Sequence, residues 1–197
     1  MRVEAHFQSG GFAALRPEWN QLLHDSCCDT IFLTWQWQTT WWKHLGQGEL
    51  MLLGFRADDN RLVGLAPLYY DNTNPDRRMI RMIGCRDVSD YLDVIVAAGY
   101  EEAVYRRLLR YLSEEAEPWD VLDLCNIPED SKAFVLLQEM AEAEGYQTLV
   151  DVEDVCPIIP LPETWEEYLS MLDKKQRHEV RRKLRRAEGA GARFLIV

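Results

Sequence analysis

The sequence predicts an α/β fold in which strands and helices alternate, closed by one long amphipathic helix. Three observations carry that expectation. Runs whose apolar residues alternate at every second position are interleaved with runs in which they recur at helical spacing. Turn-forming Gly, Asp and Asn residues separate the two kinds of run. Near the end, Thr164 and Glu167 form a T-x-x-E capping box that opens a helical pattern reaching Glu188. A chain of 197 residues, 47% hydrophobic and 28% charged, can bury one large core without a staple. That profile excludes collagen, low-complexity disorder and a disulfide scaffold.

The elements follow in order. Val3, Ala5 and Phe7 alternate with Arg2, Glu4 and His6, the pattern of a half-buried strand, and Gly10-Gly11 breaks it. From Phe12 to about Asp25 the residues Phe12, Leu15, Trp19, Leu22 and Leu23 recur at helical spacing. A second helix spans about 34–45, with Thr34 as N-cap and Trp35, Trp41, Trp42 and Leu45 as anchors. Segments 49–55 and 61–70 flank Asp58-Asp59-Asn60 and read as a hairpin. Two more strands lie at 78–85 and 91–98. Gly99 ends the latter, and 100–112 is a helix with Val104, Leu108, Leu109 and Leu112 on one face. A strand at 119–127 and a helix at 131–145, capped by Ser131 and stopped by Gly145, come next. Residues 146–161 hold one or two strands. The helix from Thr164 carries a narrow stripe of Trp165, Leu169, Leu172, Val180, Leu184 and Ala187, and at 1.5 Å per residue it reaches roughly 39 Å. Gly189 and Gly191 end it, and 192–197 begins a strand with nothing after it to pair with, which suggests either a longer parent protein or pairing with another molecule.

Charge divides the chain sharply. Residues 174–197 carry nine Lys/Arg against Glu179 and Glu188, whereas residues 1–173 carry 13 basic and 31 acidic side chains. An acidic body of that kind repels nucleic acid and anionic lipid; only the basic arm attracts them. No window approaches 18 consecutive apolar residues, so no membrane span is expected. The N-terminus lacks the apolar run of a secretory signal, and five cysteines without a C-x-x-C suit a reducing compartment; a cytoplasmic location is expected, with the cysteines as buried thiols.

The segments IFLTWQWQTTWWKHLG, RLVGLAPLYY, MIGCRDVSDYLDVIV, WDVLDLCNIP and CPIIPLPETWEEYLSMLDKKQRHEVRRKLRRAEGAG resemble the N-terminal half of the CelD-like acyltransferases. These belong to the GNAT superfamily, are associated with cellulose or exopolysaccharide biosynthesis and are related to the FemAB tandem-GNAT enzymes. The resemblance implies a GNAT-like fold: a mixed, mostly antiparallel sheet flanked by helices, followed by the long amphipathic helix. It also implies a layout of 1–160 as an N-terminal GNAT-like domain, 161–190 as a basic connecting helix, and 191–197 as the first strand of a second such domain that is missing here. The reaction implied is acyl transfer from acetyl-CoA or another acyl-CoA to an amine or hydroxyl of a small-molecule, glycan or peptide acceptor. In such a site a glycine-rich turn and the following helix N-terminus hold the donor's pyrophosphate. The matching residues are Val96 to Glu101, where only Gly99 fits and Glu101 and Glu102 oppose an anion. The helix 131–144 also lacks the tyrosine that often protonates the leaving thiolate. This domain is therefore expected to be the scaffold or acceptor half, binding no acyl-CoA tightly and inactive alone.

Candidate residues carry two readings each. Asp90, Tyr91 and Asp93 fall where the cleft of such a fold lies, so a carboxylate there can orient or deprotonate an acceptor; the plainer reading is a strand-entry turn. Arg177, His178, Arg181 and Arg182 are candidates to hold an anionic substrate group, or they belong to a solvated or packing helix. Trp35, Trp37, Trp41 and Trp42 offer stacking surfaces, with Trp35 and Trp42 foremost, or they are core. Histidines without partners at metal spacing leave zinc unsupported. The rival to an acyltransferase half is a non-catalytic module that docks a partner through the basic helix and an open edge strand, a geometry that also favours dimers.

Overall fold

The structure, a computed structural model, describes residues 1–85 and 88–193. Six strands build one sheet: β1 (Arg2–His6), β2 (Glu49–Arg56), β3 (Leu62–Asp71), β4 (Met79–Met82), β5 (Ile95–Val96) and β6 (Val121–Asp123). The order is β1-β2-β3-β4-β6, with β5 also pairing β3. All pairs are antiparallel except β4 with β6. The helices are α1 (Gly10–His24), α2 (Trp35–Leu45), α3 (Glu101–Glu114), α4 (Gln138–Ala143), α5 (Trp165–Met171) and α6 (Lys174–Gly189). This is the mixed, mostly antiparallel sheet with flanking helices that the sequence led us to expect.

Two glycines show how the layers close. A Cβ on Gly54 would meet the Leu15 side chain of α1, and a Cβ on Gly64 would strike Val104 of α3 at 2.8 Å. Gly64 stands opposite Phe55, the neighbour of Gly54, so the two glycines point to opposite faces. Helices α1 and α3 therefore pack on opposite sides of the β2–β3 hairpin, which is buried along nearly its whole length. A buried charged cluster adds to this: Arg81 on β4 pairs Asp71 of β3 and Asp123 of β6, each at 2.9 Å.

Several elements differ from the sequence pattern. The strands expected at 78–85 and 91–98 shrink to four and two residues, because β3 pairs Leu68 with Met82 and then, three residues along, Leu65 with Ile95. Residues between them must leave the sheet. The strand 119–127 keeps only Val121–Asp123, and the helix after Ser131 begins with a π turn over Ala133–Leu137. Residues 146–161 form no strand; among the described residues the backbone from 147 to 163 makes no hydrogen bond to another backbone group. The single helix expected from Thr164 to Glu188 is two helices, since Leu172 is extended (ψ 149°) and Asp173 starts a second capping box with Gln176. The strand expected at 192–197 falls mostly on residues 194–197, outside the described residues.

The chain divides into two units, Met1–Glu153 and Asp154–Val197. Among the described residues no helix is long and apolar enough to cross a membrane.

Candidate functional site

The turn after β5 is the first place to look for a bound anion, because it delivers the chain to the N-terminus of α3. There the protein supplies its own anion. Glu101, in the first turn of α3, accepts the Gly99 N–H at 2.8 Å and pairs Lys132 Nζ. Gly99 has φ +87°, the left-handed conformation that aims its N–H back at this carboxylate. Burial works against ionising Glu101, but the hydrogen bonds from Lys132 and the backbone outweigh it and hold its pKa below the usual carboxylate value. A phosphate approaching these amides would meet a fixed negative charge.

Asp93 lies just before β5 and is buried, with 5% of its surface exposed. Its Oδ2 accepts Ser131 Oγ at 2.5 Å and its Oδ1 accepts the Val94 N–H at 2.7 Å. Ser131 Oγ in turn accepts the Ala133 N–H, so Asp93 is tied to the start of the helical turn leading into α4. Burial pushes the Asp93 carboxyl up to about 6, against the pull of those two hydrogen bonds. A carboxyl poised there can exchange a proton near neutral pH. Cys28 is close enough to feel Asp93; burial first, and that carboxylate second, push its thiol up to about 12. The thiolate is then scarce at neutral pH, which leaves Cys28 a poor nucleophile.

The other two members of this trio sit differently. Asp90 is exposed, and Tyr91, with φ +52°, lays its ring 6.4 Å from Phe32 while its carbonyl accepts Thr30 Oγ1 at 3.3 Å. Around them the loop after β6 is tied to the segment before β5. The Leu92 N–H donates to the Asn126 carbonyl at 3.0 Å, and Asn126 Nδ2 donates to the Ser89 carbonyl at 2.8 Å. Trp37 Nε1 reaches Ser89 Oγ at 2.9 Å. Cys85 and Cys125 form a disulfide across the same place. That corrects the reading of the cysteines as buried thiols: parallel pairing of β4 with β6 brings two thiols 40 residues apart together, while Cys27 and Cys156 are exposed and Cys28 half-buried. Spacing gave no sign of the pair, nor of Lys132 and Ser131, whose partners come from a distant turn.

On α2 the tryptophans divide by face. Trp35 Nε1 donates to the Phe12 carbonyl at 2.7 Å, with the Arg16 guanidinium 4.5 Å over its ring. Trp42 packs on Tyr69, ring centroids 5.6 Å apart. Both are half-buried. Trp37 and Trp41 instead line a groove of about 380 Å³ with Ile31, Leu45 and Val88.

In the second unit, Arg177 donates to the carbonyls of Ser170 and Leu172, capping the end of α5. Arg181 pairs Glu166 at 2.7 Å and Arg182 pairs Glu179 at 2.7 Å. His178 is exposed on α6. Among the described residues no cluster of His, Cys, Asp or Glu has the makings of a metal site.

No protein-family model and no curated protein matches the chain. Among solved structures it is similar to one titled "Putative acetyl transferase from Pyrococcus furiosus", at 12% identity and a TM-score of 0.42, over 80% of this chain and 100% of that one. A likeness of that size carries no conclusion about activity.

Proposed function

We propose that this chain is the N-terminal, scaffold or acceptor-binding half of a GNAT-superfamily acyltransferase of the CelD-like type, related to the FemAB enzymes. The complete protein moves an acyl group from acetyl-CoA or another acyl-CoA to an amine or hydroxyl in polysaccharide or cell-envelope assembly. One observation carries the assignment to the non-donor half: Glu101 occupies the anion position at the N-terminus of α3, held by the Gly99 N–H and Lys132. A pyrophosphate there would have to displace a carboxylate that is already fully partnered.

In this reading residues 1–160 are the first domain, the basic helical segment within 161–190 connects it to a second, and 191–197 begin that second domain. Asp93 is the proton-exchanging group, with Asp90 and Tyr91 at the rim. In the second unit Arg177, His178, Arg181 and Arg182 are the residues that take an anionic group of the acceptor; in the first unit the indoles of Trp35 and Trp42 are the stacking surfaces. The arginines exchange their present partners for the substrate anion when it binds.

Calorimetric titration with acetyl-CoA at two salt concentrations tests the reading. We expect no saturable heat at high salt. Saturable binding that survives high salt places a donor site in this chain and overturns the assignment. Glu101→Ala provides the positive arm: removing the charge and freeing the Gly99 N–H is expected to raise acetyl-CoA affinity above that of the unaltered chain.

A further inference from the structure

We propose that the unit beginning at Asp154 is a docking surface for anionic membrane lipid. Two independent features meet in it. The first is a set of cations without an acceptor. Helix α6 carries eight Lys/Arg. Arg177, Arg181, Arg182 and Lys183 are engaged by the protein's own oxygens. Lys174, Lys175, Arg185 and Arg186 are exposed and have no hydrogen-bond or ion-pair partner among the described residues. The acids that could neutralise them locally are mostly held elsewhere: Glu166 by Arg181, Glu179 by Arg182, and Glu167 and Asp173 in capping boxes.

The second feature is apolar. Val155, Ile158, Ile159, Leu161, Trp165 and Met171 are all exposed, Ile158 and Leu161 at 81% each, while Leu169 is the one buried apolar residue among the described residues of this unit. Among the described residues the backbone beneath the first four forms no hydrogen bond to other backbone groups. Trp165 stacks on Tyr168 with centroids 5.3 Å apart, an amphipathic aromatic pair of the kind that seats at headgroup level.

The combination selects the partner. A nucleic acid would satisfy the cations and leave six apolar side chains in water. An apolar protein groove would take the aliphatic residues and leave the cations without counter-charge. A bilayer carrying anionic headgroups takes both, phosphates against α6 and side chains in the interfacial layer. The remainder of the chain, with 13 basic and 26 acidic residues over 1–153, is repelled by such a surface. Attachment therefore runs through this unit alone and is sensitive to salt. The proposal does not rest on the acyltransferase reading.

Flotation of the full chain with vesicles tests it. One set is phosphatidylcholine alone and the other includes about 30% phosphatidylglycerol, each at about 0.05 M and 0.5 M salt. Binding is expected on the anionic vesicles at low salt, at least about tenfold weaker on the neutral ones and at high salt. K174E/R185E/R186E alters partner-free exposed residues, so the fold should persist by far-UV dichroism while anionic binding falls at least about tenfold. I158D/L161D should weaken binding with the salt dependence retained. Absence of binding to anionic vesicles at low salt overturns the proposal. So does a triple variant that binds as well as the original, or tight binding to duplex RNA with none to vesicles.

Discussion

Met1–Glu153 and Asp154–Val197 are held together by different physics. The first unit closes both faces of a sheet: Trp19, Leu15, Phe55, Leu65 and Val104 are fully shielded, and long-range pairing fixes every strand. The second has Leu169 as its one buried apolar side chain among the described residues. Its order is local: two capping boxes, Arg177 on the last carbonyls of α5, and the Arg181–Glu166 pair joining α5 to α6. The contrast teaches that a regular helix is no sign of a core. Where apolar surface is buried, large truncations cost several kcal/mol; where caps alone hold the chain, single changes cost about 1 kcal/mol, and the surface stays open to other molecules.

The largest effect is expected for Phe55→Ala, which leaves a cavity on the α3 face of the sheet and should lower the unfolding free energy of the first unit by about 4 kcal/mol in urea. The same truncation at half-buried Leu184 of α6 should cost under about 1 kcal/mol. Equal losses would mean that the second unit has a core after all.

Next comes the disulfide. Thiol titration of folded protein kept free of reductant should find two readily reactive cysteines, Cys27 and Cys156, with Cys28 joining them in denaturant and the count rising to five only after reduction. Reopening a 40-residue loop is expected to lower stability by about 3 kcal/mol, again in the first unit. Five thiols before reduction would remove this tie from the structure.

Asp93→Asn should follow. Because the folded pKa is raised from 3.8 to about 6, the folded state binds this proton more tightly than the unfolded chain. Its contribution is therefore intact below about pH 4 and is lost as pH climbs through 6. Asn, which cannot ionise, should keep that contribution, stabilising the protein by about 3 kcal/mol at pH 7.5 and flattening the pH dependence between 4 and 7. A variant less stable than the original at pH 7.5 would show that the charge itself is needed for the fold.

The smallest effect belongs to the second unit. Asp173→Ala removes a cap worth about 1 kcal/mol and should speed amide exchange at Gln176 in the first turn of α6, with the β2–β3 ladder unchanged. Exchange that quickens in both units together would show that they unfold as one.

Much of the first unit is legible in sequence because its signals are local. Thr34 accepts the Trp37 N–H as an N-cap should, and Asp58 to Asn60 turn the β2–β3 hairpin, Asn60 taking φ +69°. The D-x-x-Q box at Asp173 and Gln176 was equally local, and it marks the break in the terminal helix that the unbroken apolar stripe concealed. Residues 146–161 misled for the opposite reason. Their β-branched residues suit a strand, but strand propensity yields hydrogen bonds only where an edge is within reach. Of the candidate site, the unsuitability of Glu101 for a phosphate turn could be read from its charge. Its pairing with Lys132 could not.

By itself, then, the sequence determined the alternation of elements, the hairpin, the caps and the separation of an acidic body from a basic arm, since each depends on residues within a few positions of one another. Tertiary structure decided that β4 and β6 run side by side, that Cys85 meets Cys125, that Asp93 is buried against Ser131 and that Glu101 closes the turn before α3. Those contacts join residues that only the folded sheet brings together, and burial there sets which charges, thiols and carboxyls can act.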